Sequence, residues 1–275
     1  MQQIAFIGGG NMATALVAGL VGRAQMHVVD LNQEALARLA QQYGVSTAGQ
    51  IDAQVADYSV VLLAVKPQNM REVAEQLAPF LGPQHLVISI AAGIRVQDLS
   101  RWLGGHTAIV RCMPNTPALI GRGMTGMFAL AGVSSEQHTM AEAIMHAVGQ
   151  TLWVEQEHLI DAVTAVSGSG PAYVFYFMEA MQQAGQDLGL TESQALLLAQ
   201  QTFVGATQLA LDAKEPLAVL RERVTSKGGT TYAALTSMGA SGVGAAIVTA
   251  VKAAAARGHE LGEELGKDPE PGTDA

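Results

Sequence analysis

The chain has very little cysteine: Cys112 is the only one in 275 residues. No intramolecular disulfide can form, which fits a reducing cytoplasm. The chain also lacks a basic excess. Its formal net charge is −9, and no Lys/Arg stripe is present to follow a phosphate backbone, so nucleic acid is not an expected partner. Much of that charge is local, because residues 259–275 hold Glu260, Glu263, Glu264, Asp268, Glu270 and Asp274 against one base, Lys267. The start, MQQIAFIGGG, has no basic n-region, and no uninterrupted apolar stretch of the length a membrane span needs occurs anywhere. A signal peptide and a membrane span are therefore not expected, and the cytoplasm is the expected location. The histidines (His27, His85, His106, His138, His146, His158, His259) show neither H-E-x-x-H nor a cysteine-paired spacing, so no metal site is expected.

What the chain does have is a large apolar complement, 49% of residues, and enough length for two domains. Ile4–Ile7 reads as a buried strand that runs into Gly8-Gly9-Gly10-Asn11-Met12-Ala13 and then a helix. This fits G-x-G-x-x-A. Gly8 allows the tight turn, Gly10 lets backbone approach a pyrophosphate, and small Ala13 lets helix and strand pack closely. A second strand, His27–Val29, ends at Asp30, where an acid would hold the adenosine ribose hydroxyls. Asn32 is a candidate cap for a helix to Gln42. The β-branched run Ser59–Val65 has the look of a strand covered on both faces, ending in Lys66-Pro67-Gln68-Asn69.

Further along, a helix is expected over Asn69–Phe80 and a strand over Leu86–Ile90, ending in the small residues Ala91, Ala92 and Gly93. Arg95–Leu103 reads as a helix and Thr107–Val110 as a strand. Arg111–Pro117 reads as an irregular polar loop stiffened by two prolines, Pro114 and Pro117. Strand and helix alternate from residue 4 to about 150, which argues for a doubly wound sheet.

After Trp153 the pattern becomes helical: Leu159–Val166 and Ala172–Leu188, broken at Ser167–Pro171, then Ala195–Leu211 behind a capping box at Thr191–Gln194. A last helix is expected over Val243–Leu261. The expected fold is an α/β, Rossmann-type doubly wound domain over residues 1–157 and an all-α domain over 158–264, with 265–275 a disordered acidic tail. The helical half is rich in Ala, Gly and Leu, and we expect it to form a homodimer.

Between these helices lies Val224–Thr231, followed by Tyr232–Leu235. Gly228 and Gly229 permit a sharp turn and close approach of a ligand. The opening N–H groups of the next helix suit an anion, and Ser226, Thr230 and Thr231 add hydroxyls beside Lys227. Taken alone, the stretch reads better as a loop capped by Thr230 or Thr231; the rest of the chain reverses that.

Five blocks together resemble the pyrroline-5-carboxylate reductase family: Ile7–Ala13, Ala64–Pro67, Arg111–Pro117, Ile160–Pro171 and Val224–Leu235. The resemblance implies reduction of 1-pyrroline-5-carboxylate to L-proline with NADPH or NADH. By position, it implies that Gly8, Gly10, Asn11 and Met12 face the pyrophosphate. Ala64, Val65, Lys66, Pro67, Ala92, Gly93 and Asn115 would follow the ribose and nicotinamide. Ser226, Gly228, Gly229, Thr230 and Thr231 would hold the substrate, with Thr231 at its ring nitrogen and that half of the pocket coming from the partner chain. A related imine or β-hydroxyacid reductase, or a non-catalytic dinucleotide sensor, are the alternatives.

Three positions depart from the family pattern. Gly239 stands where a polar residue is usual, Lys227 where proline is common, and Asp30 where NADPH users carry a small polar residue. A carboxylate there would repel a 2′-phosphate, so NADH is expected to be favoured more than is usual in the family. Lys66 is expected to hydrogen-bond cofactor or strand-end carbonyls rather than donate a proton, and Cys112 to be packing. Arg111 either caps the sheet edge or pairs with an acid.

Overall fold

The computed structural model describes residues 1–267. The first part alternates β1 (Gln2–Ile7), α1 (Asn11–Leu20), β2 (Ala24–Val29), α2 (Gln33–Tyr43), β3 (Ser46–Ala48), β4 (Val60–Leu63), α3 (Met70–Leu77), β5 (Leu86–Ser89), α4 (Val96–Trp102) and β6 (Ile109–Met113). It continues with β7 (Gly123–Ala129), α5 (Ser135–His146), β8 (Gly149–Trp153) and α6 (Leu159–Val163). The helical part is α7 (Gly170–Asp187), α8 (Glu192–Ala213), α9 (Leu217–Arg223), α10 (Thr230–Ala240) and α11 (Val243–Gly266).

The eight strands form one sheet in the order β3-β2-β1-β4-β5-β6-β7-β8. All neighbours run parallel except β6 and β7. The central strands are fully buried, as their near-continuous apolar sequences require of strands covered on both faces. One apolar cluster lies on each side, Phe6 and Leu62 pointing into one, Ile7 and Leu63 into the other. Because the order reverses between β1 and β4, the carboxyl ends of those two strands form the topological switch point at which open α/β sheets bind ligands.

Three expectations are corrected. Arg111, Cys112 and Met113 belong to β6 rather than to a loop, and the loop begins only at Pro114. Strict alternation fails there: a tight turn over Thr116–Ile120 closes on Gly121 in the left-handed region and returns β7 antiparallel to β6. The break expected over Ser167–Pro171 narrows to Ser169, since a π-helical turn covers Thr164–Gly168 and α7 begins at Gly170. Ser169 N–H donates to Thr164 O at 2.8 Å, the i→i+5 bond of such a turn.

The chain divides into two compact units, Met1–Ser169 with the segment starting at Ala254, and Gly170–Ala253. The expected tail is also corrected at its start: α11 continues to Gly266, with Leu265 packed on the apolar cluster that contains Ile94 and Leu99. The rest of that tail, 268–275, lies outside the described residues. In the helical unit, Thr191 and Gln194 form both bonds of the capping box, as their spacing predicts.

Candidate functional site

At the switch point, β1 hands over to Gly8 and β4 to Ala64, whose N–H donates to Ile7 O at 2.8 Å. Gly8 has φ 106°, and a Cβ on it would stand 2.6 Å from Ala64 O, so no other residue fits. Gly10 is the extended N-cap of α1, and a Cβ there would meet nothing within 4 Å. The first turn of α1 carries no acid and no side-chain cap, which leaves its N–H groups for an anion. Ala13 is fully buried against the sheet, which is the close packing its small size permits.

Asp30 follows β2 and is fastened from two sides. Its Oδ2 accepts from Gly9 N–H at 2.5 Å, and its Oδ1 from Asn32 N–H at 2.7 Å. The carboxylate is therefore fixed beside the glycine turn. Asn32 also caps α2, its Oδ1 accepting from Ala35 N–H at 3.0 Å. The structure thus brings Gly8, Gly10, Asn11, Asp30 and Ala64 to one edge of the sheet, an arrangement that fits a dinucleotide.

Val65, Lys66 and Pro67 continue along the same edge. Lys66 is exposed and opens a short 3₁₀ turn over Pro67–Asn69. Ala92 and Gly93 form the turn after β5; Ala92 is half-buried and Gly93 buried. Asn115 is tied down: its Nδ2 donates to Ser167 O at 3.0 Å and its Oδ1 accepts from Met124 N–H at 2.8 Å. Its amide therefore fastens the loop after β6 to the π-helical turn and to β7, a structural task that the sequence reading did not give it.

Arg111, left open by the sequence, pairs with acids. It is 4% exposed, and its guanidinium meets Glu157 at 2.9 Å and Asp161 at 3.7 Å. Glu157 Oε1 also accepts from Val96 N–H at 2.7 Å, so one carboxylate serves a strand and the start of α4. Neither acid was singled out from sequence, because no local spacing links them to Arg111. Next to it, burial pushes the Cys112 thiol well above its usual range, and the side chain is inert packing, as expected.

In the helical unit, Ser226–Gly229 is a tight turn closed by Gly229 N–H donating to Ser226 O at 3.0 Å. A Cβ on Gly229 would stand 2.5 Å from Ser226 Oγ, so the hydroxyl folds over space that only glycine leaves. The helix cap is Gly229 itself, with no side-chain cap bond. The reading of Thr230 or Thr231 as N-cap is corrected: both lie inside α10 with hydroxyls not spent on capping. A cavity of about 300 Å³ lies beside this turn, lined by Arg221, Glu222, Thr225, Lys227, Tyr232 and Leu235.

Residues 157–261 match the family described as pyrroline-5-carboxylate reductase dimerisation, and residues 3–93 match NADP oxidoreductase, coenzyme F420-dependent. A pyrroline-5-carboxylate reductase of Pseudomonas aeruginosa is 48% identical over 269 residues, covering 96% of this chain and 98% of that one. The chain belongs to the pyrroline-5-carboxylate reductase family. A solved pyrroline-5-carboxylate reductase of Coxiella burnetii superposes with a TM-score of 0.89 at 40% identity, covering 94% of this chain and 98% of that one. A Plasmodium falciparum pyrroline carboxylate reductase with NADP bound gives 0.84 at 26% identity, covering 95% and 98%. The match over residues 3–93 contains the turn built from Gly8 and Ala64, and the dimerisation match over residues 157–261 contains the Ser226–Thr231 turn.

Proposed function

We propose that this chain reduces the C=N bond of 1-pyrroline-5-carboxylate to L-proline, the last step of proline synthesis, and does so through the residues just described. The observation that carries the assignment of roles is the pair of glycine turns, each leading into a helix with no side-chain cap. NADH or NADPH, when bound, supplies the hydride. Gly8, Gly10, Asn11 and Met12 hold its pyrophosphate, Asp30 its adenosine ribose, and Ala64, Val65, Lys66, Pro67, Ala92 and Gly93 its other half. Asn115 keeps the neighbouring loop in place.

The Ser226–Gly229 turn and the opening N–H groups of α10 grip the substrate carboxylate. Thr231 Oγ1 accepts from the protonated ring nitrogen and fixes the face presented for attack. A cyclic imine is basic enough to take its proton from water near neutral pH, so the chain's main contribution is orientation. Thr230 and Gly228 shape the same turn. The protein is a homo-oligomer; we assign it as a homodimer, in the cytoplasm.

Asp30 bears on cofactor choice. Fixed by two backbone N–H groups, it does not swing away from an incoming 2′-phosphate, so NADH is favoured over NADPH relative to family members with a small residue there. Spectrophotometric assay of NADH and NADPH oxidation with pyrroline-5-carboxylate, and of NAD+ and NADP+ reduction with a β-hydroxyacid as control, tests both parts. Turnover of the hydroxyacid alone, or cofactor binding without turnover, would overturn the reaction. A strong NADPH preference in kcat/KM would overturn the role of Asp30.

A further inference from the structure

The end of α11 packs against the turn that follows β5. Three glycines, Gly258, Gly262 and Gly266, recur every four residues and present one face of the helix. A Cβ on Gly262 would lie 3.5 Å from Gly93 O and 3.7 Å from Arg95 Cγ. On Gly266 it would fall onto Asp98 Oδ2 and 2.5 Å from Arg95 Nη2. From the other side, Gly93 sits at φ 74°, and a Cβ there would be 3.2 Å from both Leu261 Cβ and Leu265 Cδ1. Gly262 and Gly266 are both buried.

Polar ties hold the same contact. Arg101 Nη2 donates to Gly266 O at 2.8 Å, and Asp98, 3% exposed, accepts from Arg95 Nε at 2.7 Å and Arg101 Nη1 at 3.0 Å. Arg101 therefore joins the last carbonyl of a helix to an acid near the start of α4, where its charge also suits the helix dipole. The turn Ala91–Arg95 has few internal bonds of its own; Ala91 N–H reaches Ser89 Oγ at 3.4 Å.

We propose that the last two turns of α11 are a strut that sets the position of the Ala91–Arg95 turn, so that cofactor affinity depends on a segment more than 160 residues away in sequence. Gly262, Gly266 and Arg101 are positioning residues. They act through Gly93 and Ala92, and the proposal rests on the reading that this turn lines the cofactor.

Gly266→Ala and Arg101→Gln in the full-length oligomer test it. The first drives a methyl group into the Asp98 pair; the second adds no bulk and removes the tie to Gly266 O. In both, KM for NADH and for NADPH should rise about tenfold, while kcat and KM for the imine stay within about twofold. Fluorescence titration of cofactor binding should weaken in parallel, with oligomer size unchanged. Unaltered cofactor binding in Arg101→Gln overturns the strut, as does a fall in kcat at unchanged cofactor KM. Should Gly266→Ala fail to fold, Arg101→Gln decides alone. Ala92→Leu separates the two levels. If it leaves cofactor binding intact, the turn does not line the cofactor; if it weakens binding while Arg101→Gln does not, only the strut fails.

Discussion

Thr231 is placed on the first turn of α10, where a hydroxyl would ordinarily be consumed by its own backbone. Thr225 Oγ1, just past the end of α9, donates to Arg221 O, and Thr236 Oγ1, inside α10, to Tyr232 O, the bond four residues back that threonines commonly make in and beside helices. Position 231 has no carbonyl of α9 four residues back, because the Ser226–Gly229 turn intervenes, and its hydroxyl stays available to a ligand. Replacing Thr231 by Val keeps shape and removes the hydroxyl. Its loss should lower kcat about 10- to 100-fold, the worth of one hydrogen bond to a charged group. Thr231→Ser should keep most of the rate. Steady-state kinetics at saturating imine and cofactor are the measurement, and wild-type turnover by Thr231→Val would remove Thr231 from the reaction.

At the scale of elements, what was legible in sequence was local. The glycine turn with Ala13, the acid after β2, the Asn32 cap and the Thr191–Gln194 box each need only a few neighbouring residues, and each is found as its spacing predicts. Elements that depend on distant partners were not legible. The antiparallel return of β7 is set by pairing with β6, and the end of α11 by what covers Gly262 and Gly266. The short helix α9 went unread because its seven residues span too few turns to show periodicity. Arg111 belongs with this group, since its acids lie 46 and 50 residues away, just before α6 and on it respectively. Removing it takes the guanidinium from two carboxylates that keep some solvent, with side chains 20% and 18% exposed, and that keep other neighbours, Val96 N–H for Glu157 and His259 Nδ1 at 3.6 Å for Asp161. Arg111→Met should therefore cost about 2–3 kcal/mol, below the range for a fully buried pair. Urea unfolding at matched protein concentration measures this, and a change under about 0.5 kcal/mol would mean that the pair contributes nothing net.

At the scale of the whole molecule, the helical unit does not carry a core of its own. Within Gly170–Ala253, Ala195 and Ala199 are the buried apolar residues, while Phe175 is 63%, Tyr176 73%, Val204 61% and Leu211 67% exposed. Leu197, Val204 and Leu211 recur every seven residues, so they form one exposed line along α8. A single chain that left this surface in water would forgo the burial that offsets ordering five helices, and it would aggregate. Association should thus be a condition of folding for this half rather than a later step. Val204→Glu places a charge in the middle of that line, where a covered position cannot hydrate it. Light scattering should then show loss of the wild-type oligomer, with activity falling in step even though the dinucleotide cradle is untouched. An active variant of unchanged size would show that α8 faces water through this line, and the interface would have to be sought on the apolar residues of α7 and α10 instead.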